Sequence, residues 1–221
     1  MTRCGIGLFA RAPAAPGKTR LAPHLSRDRL RALREALLRD ALEVVCGAGG
    51  FEPVVFFTPV GRRTELTAIV PPTMTLVPQV GRDLGERMGR AVEWLLATGT
   101  HTCAILVGSD VPLLTSDDLV DAANAMLSGS EVVLGPADDG GYYLIGTAGY
   151  RPRLFSDISW GSAAVLSQTQ ARAGELGITP RLLRRIYDLD TIDDLRRVEH
   201  DLETRPRAVG RYLRAWFSNG T

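Results

Sequence analysis

Residues 103–107 (CAILV) constrain the fold more than any other segment, because five successive apolar residues stop abruptly at Gly108-Ser109-Asp110. Side chains alternate across a strand, so a strand apolar at every position must be covered on both faces, as a central strand of a parallel sheet is. Asp110 then lies just past that strand's carboxyl end. Residues 4–10 (CGIGLFA) form a second such run and lead into a loop rich in proline and glycine. From Ser26, a candidate N-cap, Leu30, Leu33, Leu37, Ala41 and Val44 recur at helical spacing toward the glycines at 47, 49 and 50. Strand, loop and helix are how a parallel sheet begins.

The alternation continues. Residues 53–58 and 73–78 read as strands with a short helix between them, and a helix starts at Asp83 with Leu84, Met88, Ala91 and Leu95 on one face. A further helix spans 115–127, where Thr115 and Asp118 offer a capping-box start. Strands at 131–134 and 142–145, a helix over about 162–175, a strand near 182–187 and a helix from about Ile192 complete the chain. This order predicts an α/β fold with a mostly parallel central sheet and helices on both faces, a Rossmann-like arrangement in which residues 1–221 form one domain. Ligands of such sheets bind beyond the carboxyl ends of the strands.

The formal net charge is +1, with no basic block or tail, so a nucleic-acid track and an anionic membrane surface are not expected and small molecules are the expected partners. The first apolar run is too short to span a membrane and lacks the flanks of a signal peptide. Cys4, Cys46 and Cys103 are odd in number, widely spaced and set among apolar neighbours, which reads as free thiols in a reducing, cytoplasmic setting. Of 26 basic residues only Lys18 is lysine. An ammonium is a compact point charge and a guanidinium a planar fork, so an isolated lysine among arginines marks a position to examine.

Five segments could carry chemistry. In the first loop, Gly17 allows close backbone approach while Lys18 and Arg20 supply cations, as phosphate binding needs; Ala12 stands where a Walker A loop requires glycine. Gly108-Ser109-Asp110 offers one carboxylate, and magnesium commonly takes only one or two, with water and substrate phosphate completing its shell. In the cluster from Asp188 to Asp194, Asp190 or Asp188 could supply a second ligand while Thr191 and Asp193 could cap the helix that follows. Residues 135–143 (GPADDGGYY) place Asp139 as a candidate base or hydroxyl-binding group beside more glycine than a plain turn needs. Residues 79–88 (QVGRDLGERM) put Arg87 at a helix start, where Asp83 and Arg87 could also form an i, i+4 surface pair. Trp160 could stack on a substrate ring or simply pack. The three histidines are scattered and suggest no zinc site.

Taken in order, Phe9-Ala10-Arg11 with residues 16–21 (PGKTRL), residues 83–88 (DLGERM), Gly108-Ser109-Asp110, Gly135-Pro136 with residues 138–144, Trp160-Gly161 and residues 188–195 resemble the bacterial DUF2064 group of GT-A-like glycosyltransferases. The resemblance implies a nucleotide-diphospho-sugar transferase fold with Asp110 near a metal and a nucleotide. Ala10, Arg11, Gly17, Lys18, Arg20, Arg87, Gly108, Ser109 and Asp110 would then line the nucleotide site. Asp110 and Asp190 would hold Mg²⁺ or Mn²⁺ against the diphosphate of an NDP-sugar, Lys18 and Arg20 would meet charge on the leaving phosphate, and Asp139 would serve a small-molecule acceptor. Residues 18–21, Asp110 with Pro112, and Asp190-Thr191 with Asp194 are similar also to nucleotidyltransferases of this superfold. There the same groups would clamp an NTP while an acceptor phosphate displaces pyrophosphate. A third expectation is a nucleotide-binding regulatory module without catalysis.

Overall fold

The computed structural model describes residues 4–97 and 101–219. Among them one sheet of seven strands runs β3-β2-β1-β4-β6-β5-β7, comprising β1 (Cys4–Arg11), β2 (Val54–Thr58), β3 (Thr75–Pro78), β4 (Cys103–Gly108), β5 (Val132–Pro136), β6 (Tyr142–Ala148) and β7 (Arg181–Leu182). All pairings are parallel except those of β6, which enters antiparallel between β4 and β5. The 103–107 run is therefore a central strand, bonded to β1 on one side and β6 on the other.

Alternation along the strands builds two cores. Ile6, Leu8 and Ala10 of β1 and Ile105 and Val107 of β4 face the helices α1 (Arg27–Gly47) and α4 (Ser116–Leu127). Ala104 and Leu106 face α3 (Leu84–Ala97) and α5 (Val165–Glu175). The expected mostly parallel sheet with helices on both faces is what is observed. The short helix after β2 is α2 (Arg63–Thr67). Helix starts agree with the cap residues: Ser26 accepts from the Arg29 amide, and Thr115 forms a capping box with Asp118.

Four readings change. The strand expected near 182–187 shrinks to β7 plus a lone bridge from Ala137 to Ile186. The last helix divides: α6 (Ile192–Thr204) stops before Pro206, and an unanticipated α7 (Arg211–Ser218) packs Leu213 and Trp216 against Leu30, Leu33 and Leu37 of α1. The cap of α7 comes from another helix, since the Asp40 carboxylate of α1 accepts from the amides of Tyr212 (2.9 Å) and Leu213 (2.8 Å). A Cβ at Gly210 would stand 2.1 Å from the Asp40 Cγ, so only glycine lets the two helices meet there. Third, Asp83 does not pair with Arg87; its carboxylate caps α3 by accepting from the Glu86 amide, and Arg82 takes Glu86 as its partner. Last, Cys4 and Cys103 are not free thiols. They stand opposite each other on β1 and β4, with Cα atoms 4.7 Å apart, and form a disulfide, leaving Cys46 free. A separation of 99 residues hid a register that only strand pairing creates.

Candidate functional site

Beyond the carboxyl ends of β1 and β4 lies a cleft of about 460 Å³, within the ordinary size for a small-molecule site. Ala10, Arg11, Gly108, Ser109 and Asp110 line one wall, Arg87 and Leu84 of α3 a second, and Asp139, Tyr142, Trp160 and Asp188 a third. Phe9 and Gly108 are partners in the β1–β4 ladder, which is why Arg11 and Asp110, just past it, share one mouth. Leu84, expected to be buried, is 41% exposed because it faces this cleft.

The first loop sits behind Asp110 rather than in the cleft. Lys18 is buried, its side chain 3% exposed, and its Nζ donates to Asp110 Oδ2 at 2.9 Å and to the Leu189 carbonyl. Asp190 Oδ1 lies 3.6 Å from the same nitrogen, and Arg20, 69% exposed, reaches Asp190 at 3.9 Å. The Leu189 amide donates to the Asp110 carbonyl at 2.9 Å, so the chain carrying Asp188 and Asp190 is stitched to the end of β4. Burial alone would raise the Asp110 pKa, but the Lys18 ammonium and the Ser109 hydroxyl hold that carboxyl below its usual range. Gly17, Lys18, Arg20 and Asp190 thus form a cluster adjoining the cleft without lining it. Arg34 of α1 fixes the loop by donating to the carbonyls of Ala15 and Gly17; the desolvation that accompanies this burial lowers its pKa.

The opposite wall is acidic, and among the described residues that line it none is a cation. Asp139 Oδ1 accepts from the Gly141 amide at 2.8 Å, which turns its carboxyl toward the cleft, while neighbouring Asp138 is drawn away to Arg197 of α6 at 2.6 Å. Part of the glycine excess here is structural. Gly140 has φ +89°, and a Cβ there would meet the Ala163 carbonyl oxygen at 2.3 Å. Asp188 shares this wall; desolvation first, then the charges of Asp139 and Asp190, raise its pKa to about 6. Trp160 stands edge-on to Tyr142, ring centres 6.4 Å apart, so it packs as one reading expected, and it also lines the cleft.

Two supports escaped the sequence reading. Arg184 pairs with Asp118 of α4 through Nε and Nη2, at 2.5 and 2.6 Å, and donates to the Leu113 carbonyl at 2.8 Å. The Tyr143 hydroxyl donates to the Arg184 carbonyl at 3.3 Å, so α4 and β6 together clamp the segment that delivers Asp188. Runs of arginine such as Arg184-Arg185 look like surface charge, and nothing local says which one is anchored. The helix-cap reading of the last acidic cluster shifts by one residue: Thr191 caps α6 with Asp194, not Asp193, which pairs with Arg196 at the surface.

The family model described as "Uncharacterized protein conserved in bacteria (DUF2064)" matches residues 41–162, more than half of the chain. The chain belongs to the DUF2064 family. Over 99% of its length this DUF2064 protein is similar to a solved structure described as a "putative nucleotide-diphospho-sugar transferase" from Desulfovibrio desulfuricans G20, at 27% identity, TM-score 0.89 and 95% of that chain. More distant likenesses share the fold. A cytidylyltransferase from Leptospira borgpetersenii aligns over 96% of this chain and 98% of its own, with 15% identity and a TM-score of 0.61. Glucosyl-3-phosphoglycerate synthase from Mycobacterium tuberculosis, solved with Mn²⁺, UDP and glucosyl-3-phosphoglycerate, aligns over 91% and 77%, with 13% identity and 0.54. No curated protein matches the chain. The DUF2064 protein thus shares its fold with the nucleotide-diphospho-sugar transferases and nucleotidyltransferases.

The expected metal pair can be tested against the geometry. In the DUF2064 protein the Lys18 ammonium stands between Asp110 and Asp190, 2.9 Å from one carboxylate and 3.6 Å from the other. Among the described residues no group of three or more His, Cys, Asp or Glu side chains is placed to hold a metal ion. With the ammonium between its two carboxylates, the pair does not fit a bridging divalent cation. Among the described residues no helix is long and apolar enough to cross a membrane.

Proposed function

We propose that this protein transfers a sugar from a nucleoside diphosphate-sugar to a hydroxyl of a small-molecule acceptor. The observation that carries the reading is the polarity of the cleft: Arg11 and Arg87 on two walls, and on the third the carboxylates Asp139 and Asp188, which have no ion-pair partner among the described residues. Arginine forks suit the diphosphate and meet the charge that develops on it as the bond to the sugar breaks. A carboxylate facing the same space can accept the proton of an attacking hydroxyl, and Asp139 is the residue we assign to that step. Two carboxylates would repel an acceptor phosphate, so the wall favours glycosyl transfer over the nucleotidyl transfer that the fold also serves. Trp160 offers an aromatic face edge to the sugar or base.

Lys18 and Arg20 then act as supports of Asp110 and Asp190 rather than as groups on the leaving phosphate. The test is a thermal-shift panel of nucleoside triphosphates and diphosphate-sugars on the intact protein, followed by product analysis with the stabilising compound and small polyols. A ligand at 100 times its Kd adds about 2.7 kcal/mol of stability. Stabilisation by one diphosphate-sugar, with transfer lost in Asp139→Asn but binding retained, supports the reading. Stabilisation by a triphosphate alone, with pyrophosphate release, replaces it with nucleotidyl transfer. Binding without turnover, unaltered by Asp110→Ala in its cellular effect, favours a regulatory module.

A further inference from the structure

Lys18 is the chain's only lysine, and its surroundings are those of a bound cation rather than of a surface side chain. Its backbone sits at φ +50°, a left-handed conformation that costs a non-glycine residue energy and is kept when the surroundings demand it. From there the side chain runs inward, 3% exposed, to three oxygens: Asp110 Oδ2 at 2.9 Å, the Leu189 carbonyl, and Asp190 Oδ1 at 3.6 Å. These come from the end of β4 and from the segment before α6, which lie side by side because the Leu189 amide bonds the Asp110 carbonyl. Two carboxylates and a carbonyl are a hard-oxygen donor set of the kind that magnesium or manganese takes.

We propose that Lys18 is the resident cation of this site, occupying the place between Asp110 and Asp190 that a divalent ion would otherwise take. The ammonium is the right object for the position. It is compact and carries three donors, two of them spent on Asp110 and Leu189, whereas the wider planar fork of arginine would push the carboxylates apart. In a chain where every other basic residue is arginine, that difference accounts for a lysine at position 18. The consequence is a carboxylate pair held together without metal, and a latent metal site that opens when the ammonium is removed.

The experiment is a titration of the intact protein with MnCl₂ alone, following free Mn²⁺ by electron paramagnetic resonance, so it is independent of any nucleotide or sugar. Wild type, Asp190→Asn, Lys18→Met and the Lys18→Met/Asp190→Asn double variant are compared after circular dichroism confirms folding. We expect wild type to show no Mn²⁺ site sensitive to Asp190→Asn, and Lys18→Met to gain one ion per chain, weakened at least about tenfold in the double variant. Wild-type Mn²⁺ binding that survives Asp190→Asn lies elsewhere and leaves the pair closed, as proposed. A wild-type site abolished by Asp190→Asn would overturn the proposal, because the metal would then displace the ammonium. A folded Lys18→Met that takes up no Mn²⁺ would overturn it equally. Should Lys18→Met fail to fold, the wild-type and Asp190→Asn titrations still decide the matter.

Discussion

Two walls of one cleft hold aspartates in opposite states. On the β4 side, Asp110 has Lys18 against it and its carboxyl is held below the usual range. On the far side, Asp188 has burial and two carboxylate neighbours, and its pKa rises to about 6. The residue type is the same and the distance along the fold is short. The difference is whether a cation was brought in by a distant piece of chain. Lys18 does so for Asp110 across 92 residues, while among the described residues neither Asp139 nor Asp188 has an ion-pair partner, and Lys18 offsets the rise at Asp188 only in part. The carboxylate with a cation against it keeps its charge more readily, and the one without is harder to ionise.

The strongest way to break this contrast is to release the segment that delivers Asp188. Asp118 is 4% exposed and caps α4 while holding Arg184, so Arg184→Met leaves a buried charge without its partner. We expect a loss of about 3 kcal/mol in urea unfolding. Asp118→Asn/Arg184→Met should recover part of it; full additivity would show that the two do not act as a pair.

Lys18→Met removes the cation from the paired side. Asp110 and Asp190 are half open to solvent, 54% and 41% for their side chains, so the loss is expected to be smaller, about 2 kcal/mol at neutral pH. The Asp110 carboxyl is depressed in the folded state, so its contribution is present above the unfolded value of 3.8 and is lost as the pH falls through the folded one. Urea titrations of wild type and variant should therefore stay parallel from pH 5 to pH 8, with about the same gap throughout.

On the unpaired side the sign reverses. A carboxyl raised from 3.8 to about 6 makes the folded state bind the proton more tightly than the unfolded chain, so ionised Asp188 costs stability above about pH 6 and costs nothing below about pH 4. Asp188→Asn should stabilise the protein by about 1–2 kcal/mol at pH 7.5, after discounting for partial exposure, and by nothing at pH 4. A variant that is destabilised at pH 7.5 would show that Asp188 has a cation partner after all. The smallest effect is expected at the aromatic edge. Trp160→Leu should weaken diphosphate-sugar binding by about 1 kcal/mol, roughly fivefold in Kd by calorimetry, with little change in unfolding.

Much of this architecture was legible in the chain. Two all-apolar runs ending at loops fix β1 and β4, because side chains that alternate must all be buried when both faces are covered. Ser26, Thr115 and Thr191 mark helix starts because capping is a local hydrogen bond between residues two or three apart. The candidates Arg11, Arg87, Asp110 and Asp139 gather at one cleft because the ends of parallel strands face one way. What the chain did not announce were contacts made between distant segments: α7 held by Asp40 of α1, the Cys4–Cys103 bond across two strands, Arg184 on Asp118, and Lys18 between two aspartates.

The sequence alone determined most of the strands and helices, α7 and the shortened β7 excepted, and at which end of the sheet the polar loops collect, since periodicity and capping act over a few residues. Only the tertiary structure decided which charges neutralise one another. Coulomb attraction and desolvation depend on distances of a few ångströms between groups as far apart in the chain as Lys18 and Asp190, and those distances exist only after strand order and helix packing have been set.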